Sequence, residues 1–216
     1  MEIQAAIAYL TKDPRYAWIA LIVALAPVIK FLIREVPAII KSISPIRSSI
    51  EEMAASERQA SDAMNQIAED FGVDRAGLAL FHNGTKSMAN IHMLKVSVIA
   101  EGLSGRVGSI MNDAQSRTIG EYGRILYDLI NSQNPIKIKS VTSIKDTEKG
   151  AHAILHNHLV KSAYVMPIFA NKKSIDGCVF VEYCVDEVEL DDAMLAQIQA
   201  RAQAVYNELY LVNNGK

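Results

Sequence analysis

The spacing of apolar residues changes along this chain, and each period predicts a different element. From Tyr16 to Ile33 the sequence reads YAWIALIVALAPVIKFLI, apolar on every side, with Lys30 as its one charge. That length approaches the roughly 20 residues that span a bilayer. Tyr16 and Trp18 stand where an aromatic belt would lie, and Lys30 is near enough to one end to reach the interface. The pattern predicts a membrane-spanning helix over residues 16–33, within an amino-terminal segment of residues 1–41. A buried helix is the alternative. Ala24-Leu25-Ala26 resembles a signal-peptide cleavage site, but Glu2 and Asp13 spoil the basic stretch such a peptide needs, so an uncleaved signal-anchor is expected.

Pro37, Pro45 and the serines at 42, 44, 48 and 49 mark a break. A helical connector over residues 42–72 follows, with Ser48 or Ser49 as its cap and Gly72 at its end. Ile50, Met53, Ala60, Met64, Ile67 and Phe71 recur in alternating steps of three and four, broken by Glu57. This spacing suits a coiled-coil seam joining two copies of the chain, or equally one helix lying against its own domain. Residues 73–216 form the domain. Short apolar runs at Arg75–Phe81, Ile91–Ala100, Pro135–Lys139, Ala163–Phe169 and Gly177–Cys184 predict strands. His82-Asn83-Gly84 predicts the turn ending the first. Amphipathic stretches at Gln115–Ser132, Gly150–Val160 and Leu190–Leu211 predict helices. Together they imply an α+β fold: a mainly antiparallel sheet with covering helices.

Composition narrows the function. Half of the 216 residues are hydrophobic and the formal net charge is −2, which excludes a disordered chain and leaves no charge excess for nucleic acid. Lys30, Arg34, Lys41 and Arg47 follow the apolar centre, against Lys12 and Arg15 before it, so the positive-inside rule places the carboxyl-terminal domain in the cytoplasm. The cysteines agree. Cys178 and Cys184 lie on one strand, some ~20 Å apart at about 3.3 Å per residue, too far to bridge, as expected in a reducing compartment.

The stretch from Ser162 to Leu209 resembles the last third of a GAF domain. Its strand carries Pro167-Ile168; a hairpin follows, then a Gly177-led strand with Val179-Phe180-Val181, an acidic turn over Asp186–Asp192 and a long terminal helix over Met194–Leu209. Arg75 to Val160 matches by element order only. The resemblance implies a pocket between sheet and helices for a small molecule or a partner protein. It names no cofactor: the Asn-Lys-x-Phe-Asp-Glu run of cyclic-nucleotide binders is absent, bilin-binding members place a cysteine in a loop or helix, and reducers of free methionine sulfoxide need several pocket cysteines.

Candidate ligand-binding residues are His82, Asn83, Lys95, His152 and His156. His152 and His156 are four apart, so a helix sets them on one face about 6 Å apart, a spacing that chelates a metal if a third ligand such as His82 or His92 joins them. His158 falls elsewhere on that helix. The His82-Asn83-Gly84 corner places polar groups at a sheet rim, and Lys95 interrupts an apolar strand. Ser104–Ser109 holds two glycines but lacks the Gly-Lys-Ser/Thr ending of a phosphate loop. No spacing supports a catalytic triad or a Cys-His pair, so no enzyme is expected. The leading expectation is a membrane-anchored, homo-oligomeric sensor whose domain binds a small ligand or a partner protein. A structural component of a membrane-associated assembly, for instance of a phage, is the alternative.

Overall fold

The computed structural model describes residues 53–86, 92–171 and 174–214, together with residues 25 and 51. The chain divides into two compact units, Met1–Glu52 and Met53–Lys216. The apolar segment at 16–33 lies outside the described residues except for Leu25, as does Ile50; among the described residues no helix is long and apolar enough to cross a membrane.

The second unit is built on a six-stranded sheet, antiparallel throughout, in the order β3-β2-β1-β6-β5-β4. Its strands are β1 (Arg75–Lys86), β2 (His92–Leu103), β3 (Arg117–Thr118), β4 (Ile136–Ile138), β5 (Ser162–Asn171) and β6 (Ser174–Tyr183). Helix α1 spans residues 53–70; α2 (Arg124–Ser132), α3 (Lys149–Asn157) and α4 (Asp192–Asn214) follow. Successive strand side chains face opposite ways, and here both faces are covered. Ala76 and Leu78, Tyr164, Met166 and Ile168, and Val179 and Val181 are buried against Met64 and Ile67 of α1 and Leu195 and Ile198 of α4. Ala79, Val96, Val98, Cys178 and Phe180 face the other layer, where Leu126 and Leu129 of α2 pack. Ala151 and Leu155 of α3 close that layer beside Ile138, Val160 and Ala163.

Helix α1 lies against its own domain. Ala60, Met64 and Ile67 are buried at 1% exposure or less, so the stripe offered to a second copy is covered by the chain's own sheet, while Met53 stays exposed. A helix with a single apolar stripe cannot bury it twice. The contact is close enough that a Cβ on Gly102 of β2 would strike the backbone of Met64. Gly72, at φ 61°, then turns the chain out of the helix, with Val73 N–H donating to the Ala68 carbonyl (3.1 Å).

Two predicted boundaries differ in kind. His82-Asn83-Gly84 is no turn: β1 runs on to Lys86, because His82 pairs with Lys95 and Asn83 with Leu94, and Gly84 does not adopt the positive φ of a tight Asn-Gly turn. The predicted helix over Gln115–Ser132 is a helix only from Arg124. Ser116 (φ 52°) and Gly123 (φ 58°) sit in left-handed backbone, Arg117 and Thr118 pair with Val96 and Lys95, and Ile119–Tyr122 form a 3-10 turn. The remaining elements fall within a few residues of their predicted ends.

Candidate functional site

Along the sheet, the side facing α2 and α3 is incompletely filled. A cavity of about 70 Å³ lies there, walled by Ala79, Val96, Val98, Ala163, Val165, Cys178 and Phe180 of the sheet. Its roof is Ile125 and Leu126 of α2, Ala151, Ile154 and Leu155 of α3, and Ile110 and Ala114 of the connection after β2. Among the described residues, polar groups enter at four places: Arg117, Tyr122, His158 and Glu182.

Glu182 has the most unusual surroundings. It lies on β6 directly opposite Arg75 of β1, and both are buried, at 5% and 2% exposure. The Arg75 guanidinium donates from Nη1 to Glu182 Oε2 and from Nη2 to the Gly108 carbonyl (2.8 Å). Its Nε lies 3.3 Å from Oε1 of Glu101, within ion-pair reach but without the alignment of a hydrogen bond. Glu101 accepts the Ile110 N–H as well (3.0 Å), so the triad ties β1, β2 and β6 to the loop above them. Burial pushes the Glu182 carboxyl above the usual range, outweighing the arginine beside it.

The other polar groups are held toward their neutral or paired forms. Burial, helped by Arg75, lowers the His158 imidazole. Burial lifts the Tyr122 phenol to about 12. Arg117 is engaged by Glu121 (2.7 Å) and by the Asp113 carbonyl (2.6 Å). Glu121 is drawn below the usual carboxylate range, first by the Thr118 N–H and then by Arg117. Both cysteines are free and buried, and burial lifts their thiols, Cys178 to about 12 and Cys184 to about 11.

The residues singled out from sequence are not in this cavity. His152 and His156 do stack, with ring centroids 5.5 Å apart, but on the outer side of α3. The same helix turns Ala151, Ile154 and Leu155 toward the cavity and ends on His158, so the histidine pair lies on its other face. No group of three or more metal-ligating side chains occurs among the described residues, so His82 does not join that pair. His82 instead shares a hydrogen with Ser97 Oγ (2.9 Å), whose oxygen also accepts the Ser116 N–H. Lys95 is paired with Thr118 across β2 and β3, and Asn83 is exposed. Glu182 and Arg75 are not among the candidates expected from sequence, although a lone charge inside GCVFVEYC and another opening RAGLALF are signals of a buried pair.

A wider groove of about 560 Å³ lies among Glu57, Leu80, Ile99, Met111, Gln115 and Tyr206. Its acidic groups are an exposed Glu57 and Asp176, which already accepts the Tyr206 hydroxyl hydrogen (2.7 Å).

No protein-family model matches the chain, and no curated protein matches its sequence. Solved structures do. The blue-light absorbing form of the Thermosynechococcus elongatus PixJ GAF domain superposes with a TM-score of 0.56 at 12% identity, over 75% of this chain and 89% of that one. The phycocyanobilin-bound GAF domain of a cyanobacterial phytochrome gives 0.54 at 16% identity, over 78% and 97%. A domain of a two-component sensor histidine kinase protein from Sinorhizobium meliloti gives 0.51 at 11%, over 73% and 92%. At such identities the likeness speaks for the fold alone, and it agrees with the antiparallel sheet covered on both faces: the chain carries a GAF-like fold.

Proposed function

We propose that this chain is a membrane-anchored regulatory protein whose GAF-like domain senses a compact ligand held between the sheet and helices α2 and α3. The observation that carries this reading is the cavity itself, apolar nearly all round, with a buried carboxylate at its wall. Sensing also needs a route outward. The strands lining the cavity are the strands that hold α1 and α4, with cavity-facing and helix-facing residues alternating along them. A ligand that favours one packing of the sheet therefore favours one packing of those helices. Helix α1 follows the amino-terminal segment in sequence, so either the apolar stretch at 16–33 or a partner protein would receive the signal, with the domain on the cytoplasmic side. The chain does this by binding, without catalysing a reaction.

One of these structural neighbours is named as phycocyanobilin-bound, and this cavity does not suit such a group. At about 70 Å³ it exceeds a few water molecules but falls below the dry cavity of about 150 Å³ that holds benzene, and far below the roughly 300–1,000 Å³ of larger ligand sites. Cys178, which lines it, holds its proton up to about 12 and so offers no thiolate for a covalent link. The same small volume is what favours the second reading, an interaction component of a membrane-associated assembly.

Native mass spectrometry of the detergent-solubilised full chain, followed by denaturation, tests the proposal. A defined small molecule released on denaturation is the expected result. An empty protein, monomeric or in a large ring, would overturn the sensor reading and leave the assembly component.

A further inference from the structure

We propose that the ligand class of this cavity is a small apolar amine, its ammonium group seated against Oε1 of Glu182, an inference that rests on reading the cavity as a ligand site. Glu182 is 5% exposed and lines the cavity. Its Oε2 accepts from Arg75, and among the described residues no hydrogen bond reaches Oε1. Oε1 is not one of the fully buried unpaired atoms, of which Arg75 Nε is the one found among the described residues, so it is reachable from the cavity that Glu182 lines. A carboxylate oxygen facing a cavity without a protein donor can accept a hydrogen from a ligand there.

Charge decides what kind of donor fits. Arg75 stands between Glu101 and Glu182, a single cation serving two buried carboxylates. Its remaining nitrogen is committed to the Gly108 carbonyl. The other basic groups at the cavity do not supply the balance: Arg117 is bound to Glu121 and the Asp113 carbonyl, and burial with Arg75 keeps His158 toward its neutral form. With both carboxyls ionised, the site is short of one positive charge with hydrogens to donate. An ammonium provides both, and a hydroxyl only the second. Val96, Val98, Ile125, Leu126 and Leu155 set the rest of the ligand's chemistry, a short hydrocarbon body within about 70 Å³. A carboxylate ligand would bring a third negative charge to the same place.

Three isosteric probes test this: isobutylammonium, isobutanol and isobutyrate, titrated at pH 8 into the full chain labelled at its alanine methyls. Ala79, Ala151 and Ala163 line the cavity and report occupancy directly. The amine should bind about tenfold or more tighter than the alcohol, the gain of a charge-assisted hydrogen bond over a neutral one, and isobutyrate should leave the three methyls unmoved. Glu182→Gln should bring amine and alcohol to equal affinity, the retained alcohol signal showing an intact cavity. Glu182→Asp, which withdraws the carboxylate by one methylene, should fall between. Should the alcohol match the amine in the native chain, or the amine's advantage survive Glu182→Gln, the ammonium assignment fails while the cavity stands as a ligand site. Binding of isobutyrate would overturn the assignment too. If none of the three moves the methyls, both readings fall.

Discussion

The two faces of the sheet are filled in different ways. Toward α1 and α4, Met64, Ile67, Leu78, Tyr164, Met166, Ile168, Leu195 and Ile198 are all below 2% exposed, and the few polar atoms are paired: Tyr164 Oη donates to the Val188 carbonyl (2.6 Å) and accepts the Leu190 N–H (3.2 Å). Toward α2 and α3 the same strands carry small residues, Ala79, Ala163 and Cys178, a two-carboxylate, one-arginine cluster, and an unfilled space. One face is close-packed for stability, while the other retains a void and two carboxylates sharing one arginine, features that a folding-only optimisation would remove. That difference is the ground on which the second face is proposed as the binding face.

The strongest way to break the comparison is Arg75→Met. It leaves Glu101 and Glu182 buried without their cation and should destabilise the domain by about 3–5 kcal/mol in denaturant titration. The double variant Arg75→Met with Glu182→Gln should recover part of that loss, because the remaining buried charge is then single. Truncation on the two faces should differ next. Leu195→Ala, on the packed face at 1% exposure, should cost about 3–5 kcal/mol. Leu126→Ala, beside an existing space, should fall nearer about 2 kcal/mol because part of its transfer gain was never complete. Equal losses would mean the cavity closes in solution.

Acid titration sharpens the same contrast. Glu182 binds its proton more tightly folded than unfolded, so its contribution is fully present below the ordinary value of 4.5 and is lost as pH rises through the raised folded value. Glu121 is the reverse: its lowered folded value makes a contribution present above 4.5 and lost as pH falls. Glu182→Gln should therefore gain stability relative to the native chain as pH rises above 4.5, and Glu121→Gln should lose it there. Melting curves across that range decide it; parallel curves for Glu182→Gln and the native chain would contradict the buried-charge account.

Much of the packed face was legible in the sequence, since it follows from period alone. The apolar strands at Ala163–Phe169 and Gly177–Cys184 and the terminal helix were readable because their residues alternate or recur on one stripe without interruption. The site was hardly legible. His82, Asn83, Lys95, His152 and His156 are chemically conspicuous, yet conspicuous residues on a strand or helix are as often on its outer side. Placement depends on register, and register came from partners far along the chain: Arg75 meets Glu182 only because β1 pairs with β6. The helix expected over Gln115–Ser132 begins only at Arg124 for a similar reason. Gln115 binds the Val98 carbonyl (2.7 Å) and Ser116 donates to Ser97, long-range contacts that outweigh a local helical period.

The ends of the helices give the smallest test. Helix α1, on the packed face, leaves its last turn through Gly72 at φ 61°. Helix α3, over the cavity, makes the equivalent turn through Leu159 at φ 62°, with His158 N–H donating to the Ile154 carbonyl (3.2 Å) and Val160 N–H to the Leu155 carbonyl (2.9 Å). A leucine in this conformation carries about 1–2 kcal/mol of steric cost that glycine avoids, and its side chain is 70% exposed, so truncation loses little burial. Glycine adds back about 0.5–1 kcal/mol through the freedom of the unfolded chain. Leu159→Gly should therefore stabilise the domain by about 0.5–1 kcal/mol, the only one of these substitutions to raise the melting temperature at every pH. A loss of stability instead would mean that the Leu159 side chain contributes more to the fold than its 70% exposure implies.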